Sequence, residues 1–403
     1  MASILATLTS LPAYTLFHIS WLLHSIRRPL ILVSLLCLLS NPTATINKCK
    51  LFYKTFLYLA FSQDKKFSIP KDDASQYFGS DFGGTAATNE SSSLKNNKTT
   101  FKSKTVILIR HGESTWNDTF NPGGRNVVLF ILFYIPNMIK ALLTEAYFFI
   151  AGKDDQSWFF DSALSTKGVS QIEGLRKFLQ KEQLRLGSGN ILDGREEMAI
   201  RELLNVGVDE KDAKGNNSMV VSSNLRRAIS TAAIGLSDRF AAQHAGDDIL
   251  LLPSLQEISF NPDAQTILPP RGVAHPTWCD RNIPGVPVDK FSKLVDTQYH
   301  TGNKALDSTG LIRLNQFASD VFSSKCDKDV IVAVGHSLFF RSFFQLFLPR
   351  SVEHISKKKK LVNGGTVMVT LGEVTLEDGK KVYMIDPKSI VVVYGGFGKH
   401  SKK

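Results

Sequence analysis

The segment TVILIRHGESTWN at residues 105–117 decides the fold of this chain, because a short apolar run passes directly into a dense polar cluster. The run at 105–109 is apolar and rich in β-branched residues, as expected for a strand buried on both faces of a parallel sheet. Two further runs, MVV at 219–221 and VIVAV at 330–334, have the same character. Since helical patterns follow both of them, we predict an α/β fold, a three-layer sandwich with a mostly parallel central sheet.

The same alternation extends outward from these runs. Apolar residues recur at helical spacing in Leu225–Leu236 and in Leu338–Leu348. Near the C-terminus, Val367–Leu376 and Lys381–Ile385 have strand patterns and flank Asp378-Gly379, a dipeptide that favours a tight turn. The sequence therefore predicts that the sheet is completed by a β-hairpin.

The N-terminal residues 1–61 contain neither Asp nor Glu. Within them, Met1–Ile26 carries no charge apart from two histidines, and a stretch of this length could span a bilayer. Arg27 and Arg28 then precede a second apolar run, as in a targeting signal. We predict an apolar helical segment that makes the chain membrane-associated, in the secretory pathway or an organelle. The alternative is a buried helix of a soluble protein.

Composition divides the remaining chain into three parts. Residues 62–103 are polar and predict a flexible linker. Residues 104–398 hold the strand and helix patterns and predict the main folded domain. Residues 399–403 form a short basic tail.

The charge balance is basic, with 48 Lys and Arg against 37 Asp and Glu, a net charge of +11. Such an excess suits a phosphorylated ligand, a nucleic acid or an anionic membrane surface. The four cysteines have neither metal-ligand nor disulfide-framework spacing. From the whole sequence we predict a phosphorylated substrate and membrane association, and no nucleic-acid partner.

Polar clusters follow each of the three predicted parallel strands, at 110–113 (RHGE), 222–227 (SSNLRR) and 335–337 (GHS). Ligands of open α/β sheets bind beyond the carboxyl ends of the strands, so these clusters should meet. Arginine presents a planar fork that matches phosphate oxygens. A neutral imidazole can attack phosphorus while cations stabilise the transferring oxygens. The sequence therefore predicts a phosphoryl-transfer site with a histidine nucleophile.

These clusters belong to a series of five motifs. They are RHGESTWN at 110–117, DSALSTKGVSQ at 161–171, SSNLRRAIST at 222–231, LQE at 255–257 and GHS at 335–337. The series resembles, in order and over most of the predicted domain, the histidine phosphatase superfamily, which includes the cofactor-dependent phosphoglycerate mutases.

The resemblance implies a role for each matching residue. His111 corresponds to the nucleophile that becomes a phosphohistidine, and Glu257 to the general acid that protonates the leaving oxygen and then activates water. No metal or other cofactor is required in this scheme. The implied phosphate pocket consists of Arg110, Asn117, Arg227 and His336.

Some of these positions have other interpretations. Arg227 could form a structural ion pair, and Arg226 beside it is expected to be an exposed helix residue. Glu257 could be an ordinary surface carboxylate, and Asp263 competes with it for the role of general acid.

Residues 121–158 are an apolar insertion between the first two motifs of the resembled family. Val127–Ile135 is a run of nine apolar residues, and Pro136 interrupts the pattern that continues after it. We predict two short helices that form a lid over the pocket or lie at a membrane interface. The alternative is an elaboration of the core.

The leading functional hypothesis is a phosphoric-ester hydrolase that acts through a phosphohistidine on His111. One alternative is a bisphosphoglycerate-dependent phosphoglycerate mutase, which uses the same intermediate but must exclude water. Another is a membrane-tethered module that binds a phosphorylated ligand without turnover.

Overall fold

The computed structural model describes residues 39–70, 74–78, 100–120, 127–153, 155–188, 194–207, 217–242, 247–272 and 276–398. Within these residues, eight strands form one sheet. They are β1 (Thr100–Arg110), β2 (Ser218–Ser222), β3 (Ile249–Leu251), β4 (Val295–Asp296), β5 (Val330–Gly335), β6 (Thr366–Thr375), β7 (Lys381–Ile385) and β8 (Val391–Tyr394).

The helices of the described residues lie before and between these strands. They are α1 (Pro42–Phe61), α2 (Thr115–Phe120), α3 (Val127–Ile150), α4 (Thr166–Gly187), α5 (Gly194–Leu204), α6 (Arg226–Gly235), α7 (Ser237–Ala241), α8 (Gly310–Val321), α9 (Ser337–Phe347) and α10 (Ile355–Lys358). Short 3-10 turns occupy several of the connections.

The sheet is mixed, with the order β4-β3-β2-β5-β1-β6-β7 and with β8 beside β6. The strands from β4 to β1 pair in parallel, whereas β6 runs antiparallel to β1, β7 and β8. The predicted α/β fold with a central sheet is confirmed. The predicted hairpin is also present, since β6 and β7 pair on either side of a turn in which Gly379 has a φ of 79°.

Two hydrophobic cores lie on opposite faces of the sheet. Ile107 and Ile109 of β1 pack with apolar residues of α4, α5 and α6. Val106 and Leu108, which point the other way because side chains alternate along a strand, pack with α8 and the phenylalanine-rich α9. Helices therefore cover both faces, which explains why these strands read as continuous apolar runs.

The ends of the segment predicted as a linker are part of the fold. Strand β1 begins at Thr100, because residues 100–104 pair antiparallel with β6. At the other end, Asp64 is completely buried and forms ion pairs with Lys304 and Arg313. Residues 71–73 and 79–99 of that segment, like the basic tail at 399–403, lie outside the described residues.

Helix α1 packs against the folded domain. Lys48 Nζ lies 2.7 Å from Glu145 Oε1 of α3, and Thr55 donates to Gln265 Oε1 at 3.4 Å. Tyr58, near the end of α1, is buried as well. Among the described residues, no helix is sufficiently long and apolar to cross a membrane. Of the predicted anchoring segment at 1–61, residues 1–38 lie outside the described residues, and residues 42–61 form α1.

The insertion forms one helix rather than two, so the prediction of a break at Pro136 was wrong. Helix α3 is 24 residues long and contains Pro136 without interruption. Proline removes one backbone donor, and contacts on its C-terminal side support the helix past that point. Asn137 donates to the carbonyl of Asp118 in α2 at 3.0 Å, and Glu145 accepts from the Trp158 N–H at 2.7 Å.

Candidate active site

Two adjacent parallel strands bring the two motif histidines together. His111 directly follows β1 and His336 directly follows β5, and the His111 N–H donates to the Gly335 carbonyl at 3.0 Å. The centroids of the two imidazole rings are 4.9 Å apart. Both side chains are buried, at 3% and 0% exposure. The carboxyl edge of the sheet therefore places the two histidines next to each other, with their ring planes inclined at 60°.

The His111 ring has the tautomer and the charge state that a nucleophilic imidazole requires. Its Nδ1 lies 2.5 Å from the carbonyl oxygen of Gly112, which can only accept a hydrogen bond. Nδ1 therefore carries the proton, and Nε2 keeps its lone pair. Burial lowers the pKa of His111 well below its ordinary value, and the cations of Arg227 and Arg110 lower it further. The imidazole is consequently neutral at neutral pH, the form that attacks phosphorus.

His336 is neutral for similar reasons. Burial lowers its pKa well below the ordinary value, and the nearby Arg227 cation adds to the effect. Its Nε2 is 2.8 Å from the Ser223 hydroxyl, the second residue of the cluster after β2. The Nδ1 atom is buried and has no hydrogen-bond partner among the described residues. His336 thus has a ring nitrogen free for a phosphate oxygen.

Two buried guanidinium groups flank the histidines. Arg110 is 6% exposed and donates through Nη1 to the Leu361 carbonyl at 2.6 Å. Burial lowers the pKa of Arg110 to about 10, so the side chain is still a cation at neutral pH. Arg227 is 2% exposed. The Nε atoms of both arginines are buried without a partner in the described part of the chain. Unpaired buried donors on cations are what an anion-binding pocket requires.

The alternative interpretation of Arg227, a structural ion pair, applies in part. Its Nη1 donates to the Asp263 carbonyl at 2.5 Å, and its Nη2 is 3.5 Å from Asp263 Oδ2. This pair leaves Nε unused, so the same side chain can be fixed by Asp263 and still bind an anion.

Two carboxylates lie on the loop that follows β3. Glu257 is 8% exposed, and its Oε1 accepts from the backbone N–H groups of Ile258 at 2.9 Å and Phe339 at 3.1 Å. Asp263 is equally buried. Burial raises the pKa of Asp263, against the opposing effect of Arg227, and the nearby Glu257 adds to the rise. Both are therefore candidates for the general acid, as the sequence suggested.

Asn117 lies in α2 and is half-buried, and its backbone N–H donates to the Ser114 hydroxyl at 3.3 Å. Its role as a phosphate ligand stays a prediction.

The second motif supports the nucleophile loop from behind. A Cβ atom on Gly168 would lie 2.0 Å from the Glu113 carbonyl oxygen, so only glycine allows α4 to approach this loop so closely. Gln171 accepts from the Glu113 N–H at 2.9 Å, and Thr231 accepts from the Gly112 N–H at 3.2 Å. These contacts fix the backbone on which His111 stands.

The prediction that Arg226 is exposed was wrong. The side chain is 3% exposed, and its guanidinium donates to the carbonyl oxygens of Asp155, Ser157, Phe160 and Asp161. The loop at 155–161 folds over the start of α6, and Arg226 satisfies its carbonyl groups. Helical spacing alone could not reveal a loop supplied by a different part of the chain.

Three contacts of the pocket were missed at the sequence level. The Ser223 contact with His336 involves a residue of a recognised motif, so only the partner was unknown. Asn363 donates to the His111 carbonyl at 3.0 Å, and Leu361 binds Arg110 through its backbone. The only signal for these two was a polar Asn-Gly-Gly turn before β6. In the described part of the chain, no group of three or more His, Cys, Asp or Glu side chains could hold a metal ion.

Comparisons with known proteins give weak likenesses only. No protein-family model and no curated protein matches this sequence. Among solved structures, the ecdysone phosphate phosphatase from Bombix mori in complex with tungstate aligns with a TM-score of 0.32 and 14% identity, over 74% of this chain and 98% of that one. A mycobacterial glucosyl-3-phosphoglycerate phosphatase aligns with a TM-score of 0.30 and 15% identity, over 70% and 97%.

Phosphoglycerate mutase from Bacillus anthracis aligns with a TM-score of 0.30 and 13% identity, over 70% of this chain and 92% of that one. TM-scores this low carry no inference about activity.

Proposed function

We propose that this chain is a phosphoric-ester hydrolase that acts through a phosphohistidine on His111. The observation that carries the proposal is the state of His111: a buried imidazole whose Nδ1 proton is held by the Gly112 carbonyl and whose pKa is lowered well below its ordinary value. Beside it, Arg110 and Arg227 keep buried Nε donors without partners among the described residues. A neutral nucleophile between two available cations suits attack on a phosphate ester.

The proposed reaction has two steps. In the first, His111 Nε2 attacks phosphorus, the bond to the ester oxygen breaks, and Glu257 gives its proton to that oxygen. In the second, water attacks the phosphohistidine, Glu257 takes the proton from the water, and phosphate leaves with His111 restored. Throughout, Arg110 and Arg227 stabilise the charge on the transferring oxygens.

Phosphate release by the full-length chain in mild detergent tests this proposal. The substrates are p-nitrophenyl phosphate and a panel of phosphorylated metabolites. His111→Ala should lower turnover by about a thousandfold or more, because the nucleophile is lost. His354→Ala, which changes a half-buried histidine at the start of α10, is the matched control and should stay active.

Two results would reject the hydrolase. Interconversion of 3- and 2-phosphoglycerate that depends on bisphosphoglycerate, without net phosphate release, would identify a mutase. Binding of a phosphorylated compound without any turnover would identify a ligand-binding module.

We also propose that the enzyme is attached to a membrane through its N-terminal segment. The long uncharged stretch at 1–26 and the absence of acids before Asp64 support this localisation. Exposed apolar side chains on the two helices that follow agree with it. On α1 these include Phe52, Tyr53 and Phe56, and on α3 Leu142, Leu143 and Tyr147, all more than half exposed.

Fractionation of cells that express the full-length chain tests the attachment. Leu35→Lys with Leu36→Lys, in the second apolar run, should move most of the protein into the soluble fraction. Leu184→Glu, at a 77% exposed position of α4, changes an apolar surface residue away from that segment and should leave the distribution as it is. Retention of the double variant on membranes would contradict the proposal.

A further inference from the structure

A buried cluster of charges lies behind the loop that carries Glu257. Asp64 is 0% exposed and lies in the segment between α1 and β1, outside the five motifs in the sequence. Its Oδ2 is 2.6 Å from Lys304 Nζ, and its Oδ1 is 2.5 Å from Arg313 Nη2. One carboxylate therefore balances two buried cations.

The two cations bind the backbone of the same loop. Lys304 Nζ donates to the carbonyl of Glu257 at 2.6 Å and also to that of Ser259. Arg313 donates to the carbonyl of Gln256, and more weakly to that of Glu257 at 3.3 Å. Three carbonyl groups in a stretch of four residues are thus fixed by charged donors, which form the stronger class of hydrogen bond.

Asp64 also binds the loop directly. The Ser259 N–H donates to Asp64 Oδ2 at 2.9 Å, and the Asp64 carbonyl accepts from the N–H of Gly310, the first residue of α8, at 2.8 Å. Asp64 therefore links the loop to α8, the helix that carries Arg313. The loop backbone is therefore held by these charged groups, while the Glu257 carboxylate itself accepts from the N–H groups of Ile258 and Phe339.

We infer that Asp64 is a positioning residue for the general-acid loop, which it holds in place through Lys304 and Arg313. This inference rests on the proposed hydrolase function, because a general acid acts only on a leaving group. Without Asp64, the two buried cations would lose the carboxylate that pairs with both of them, and only Glu257 would oppose the charge of Arg313 at Lys304. Burial, and then Arg313, already lower the pKa of Lys304 to about 8, and Asp64 opposes that shift. Loss of the Asp64 charge would weaken the hydrogen bonds that Lys304 and Arg313 donate to the Glu257 carbonyl. The Glu257 carboxylate would then be displaced.

The start of the segment predicted as a linker therefore has a task in the pocket. It supplies Asp64, the acid that organises the general-acid loop.

The test compares two leaving groups in the full-length chain. A poor leaving group needs a proton in the transition state, whereas p-nitrophenolate hardly does. Asp64→Asn should therefore lower kcat/KM for β-glycerophosphate by about 10–100-fold, part of the 10²–10⁴ that general acids contribute, and for p-nitrophenyl phosphate by only about threefold.

A matched control separates positioning from loss of stability. Asp247 and Arg239 form another buried ion pair, at 2.6 Å and with side chains 2% and 0% exposed, on the opposite core side of the sheet. Asp247→Asn should lower the unfolding temperature as Asp64→Asn does, but it should change kcat/KM for both substrates by the same factor.

A second variant covers the case in which Asp64→Asn does not fold. Arg313→Lys keeps the charge beside Asp64 but loses the fork that reaches the Gln256 carbonyl. Arg313→Lys should also lower kcat/KM selectively for β-glycerophosphate, by a smaller factor than Asp64→Asn.

Each outcome decides the inference. Equal losses for both substrates, in whichever of these two variants folds, would mean that the cluster is structural only and would overturn it. An inactive wild type would instead reject the hydrolase function, and the positioning role with it. Selective loss in the Asp64 or Arg313 variant, with equal effects for Asp247→Asn, would support it.

Discussion

The two halves of the pocket are built in different ways. The nucleophile half consists of His111, Arg110, Arg227 and His336. Arg110 ends β1, His111 and His336 directly follow β1 and β5, and Arg227 lies in the first turn of α6, the helix after β2. The acid half consists of Glu257 and Asp263, which lie on a loop with only 3-10 turns. The main contacts of that loop come from Asp64, Lys304 and Arg313.

The difference shows that functional side chains can be fixed in place in two ways. Parallel strands are fixed by their ladder, so a side chain one residue beyond a strand end has its place determined by the sheet. A loop has no ladder, and its carbonyl groups need donors from elsewhere. In this chain those donors are buried cations, and their charge requires a distant carboxylate.

The largest effect expected from this comparison concerns the choice of the general acid. Glu257→Gln should lower kcat/KM for β-glycerophosphate by about 10²–10³, because the leaving oxygen receives no proton, with a much smaller loss for p-nitrophenyl phosphate. Asp263→Asn should affect both substrates alike, since Asp263 contacts Arg227, the proposed ligand of the phosphate itself. The measurement is the ratio of kcat/KM values for the two substrates.

The opposite pattern would exchange the two roles. If Asp263→Asn showed the selective loss and Glu257→Gln did not, Asp263 would be the proton donor. Its raised pKa makes it the natural alternative.

The positions of the nucleophile half could largely be predicted from the sequence, because they follow from the ends of the strands. Short β-branched runs predicted β1, β2 and β5, and the structure places a motif cluster after each of them. The first strand was predicted too short, because residues 100–104 are largely exposed and have no apolar signal.

The arrangement of the acid half could not be predicted from strand patterns. Glu257 and Asp263 could be named as alternatives, but nothing in the sequence indicated which groups hold their loop. Asp64 is one of five acids in a segment that composition assigned to a linker. Its partners Lys304 and Arg313 lie about 240 residues further along the chain. Pairings of this kind are decided by the packing of the finished fold, as was the burial of Arg226.

A smaller effect is expected within the nucleophile half. Ser223→Ala removes the hydrogen bond to His336 Nε2. A neutral hydrogen bond contributes about 0.5–1.5 kcal/mol, so kcat/KM should fall by roughly tenfold at most. We expect His336 to contact the phosphate and not the leaving group, so the loss should be the same for β-glycerophosphate and p-nitrophenyl phosphate. A selective loss with one substrate would contradict the separation of the two halves.

The smallest effect concerns stability at acid pH, and it tests the neutral state of the two histidines. Both have a folded-state pKa below the ordinary value of about 6.5, so between these values the unfolded chain binds more protons than the folded one. Stability is therefore full above pH 6.5 and falls as the pH drops toward the folded-state pKa. The unfolding temperature should decrease from pH 7 to pH 5, and in a His111→Asn, His336→Asn double variant the decrease should be smaller by about 3 °C. An equal decrease in both proteins would show that folding does not lower the pKa of the two histidines, which would contradict the electrostatic state inferred for the nucleophile.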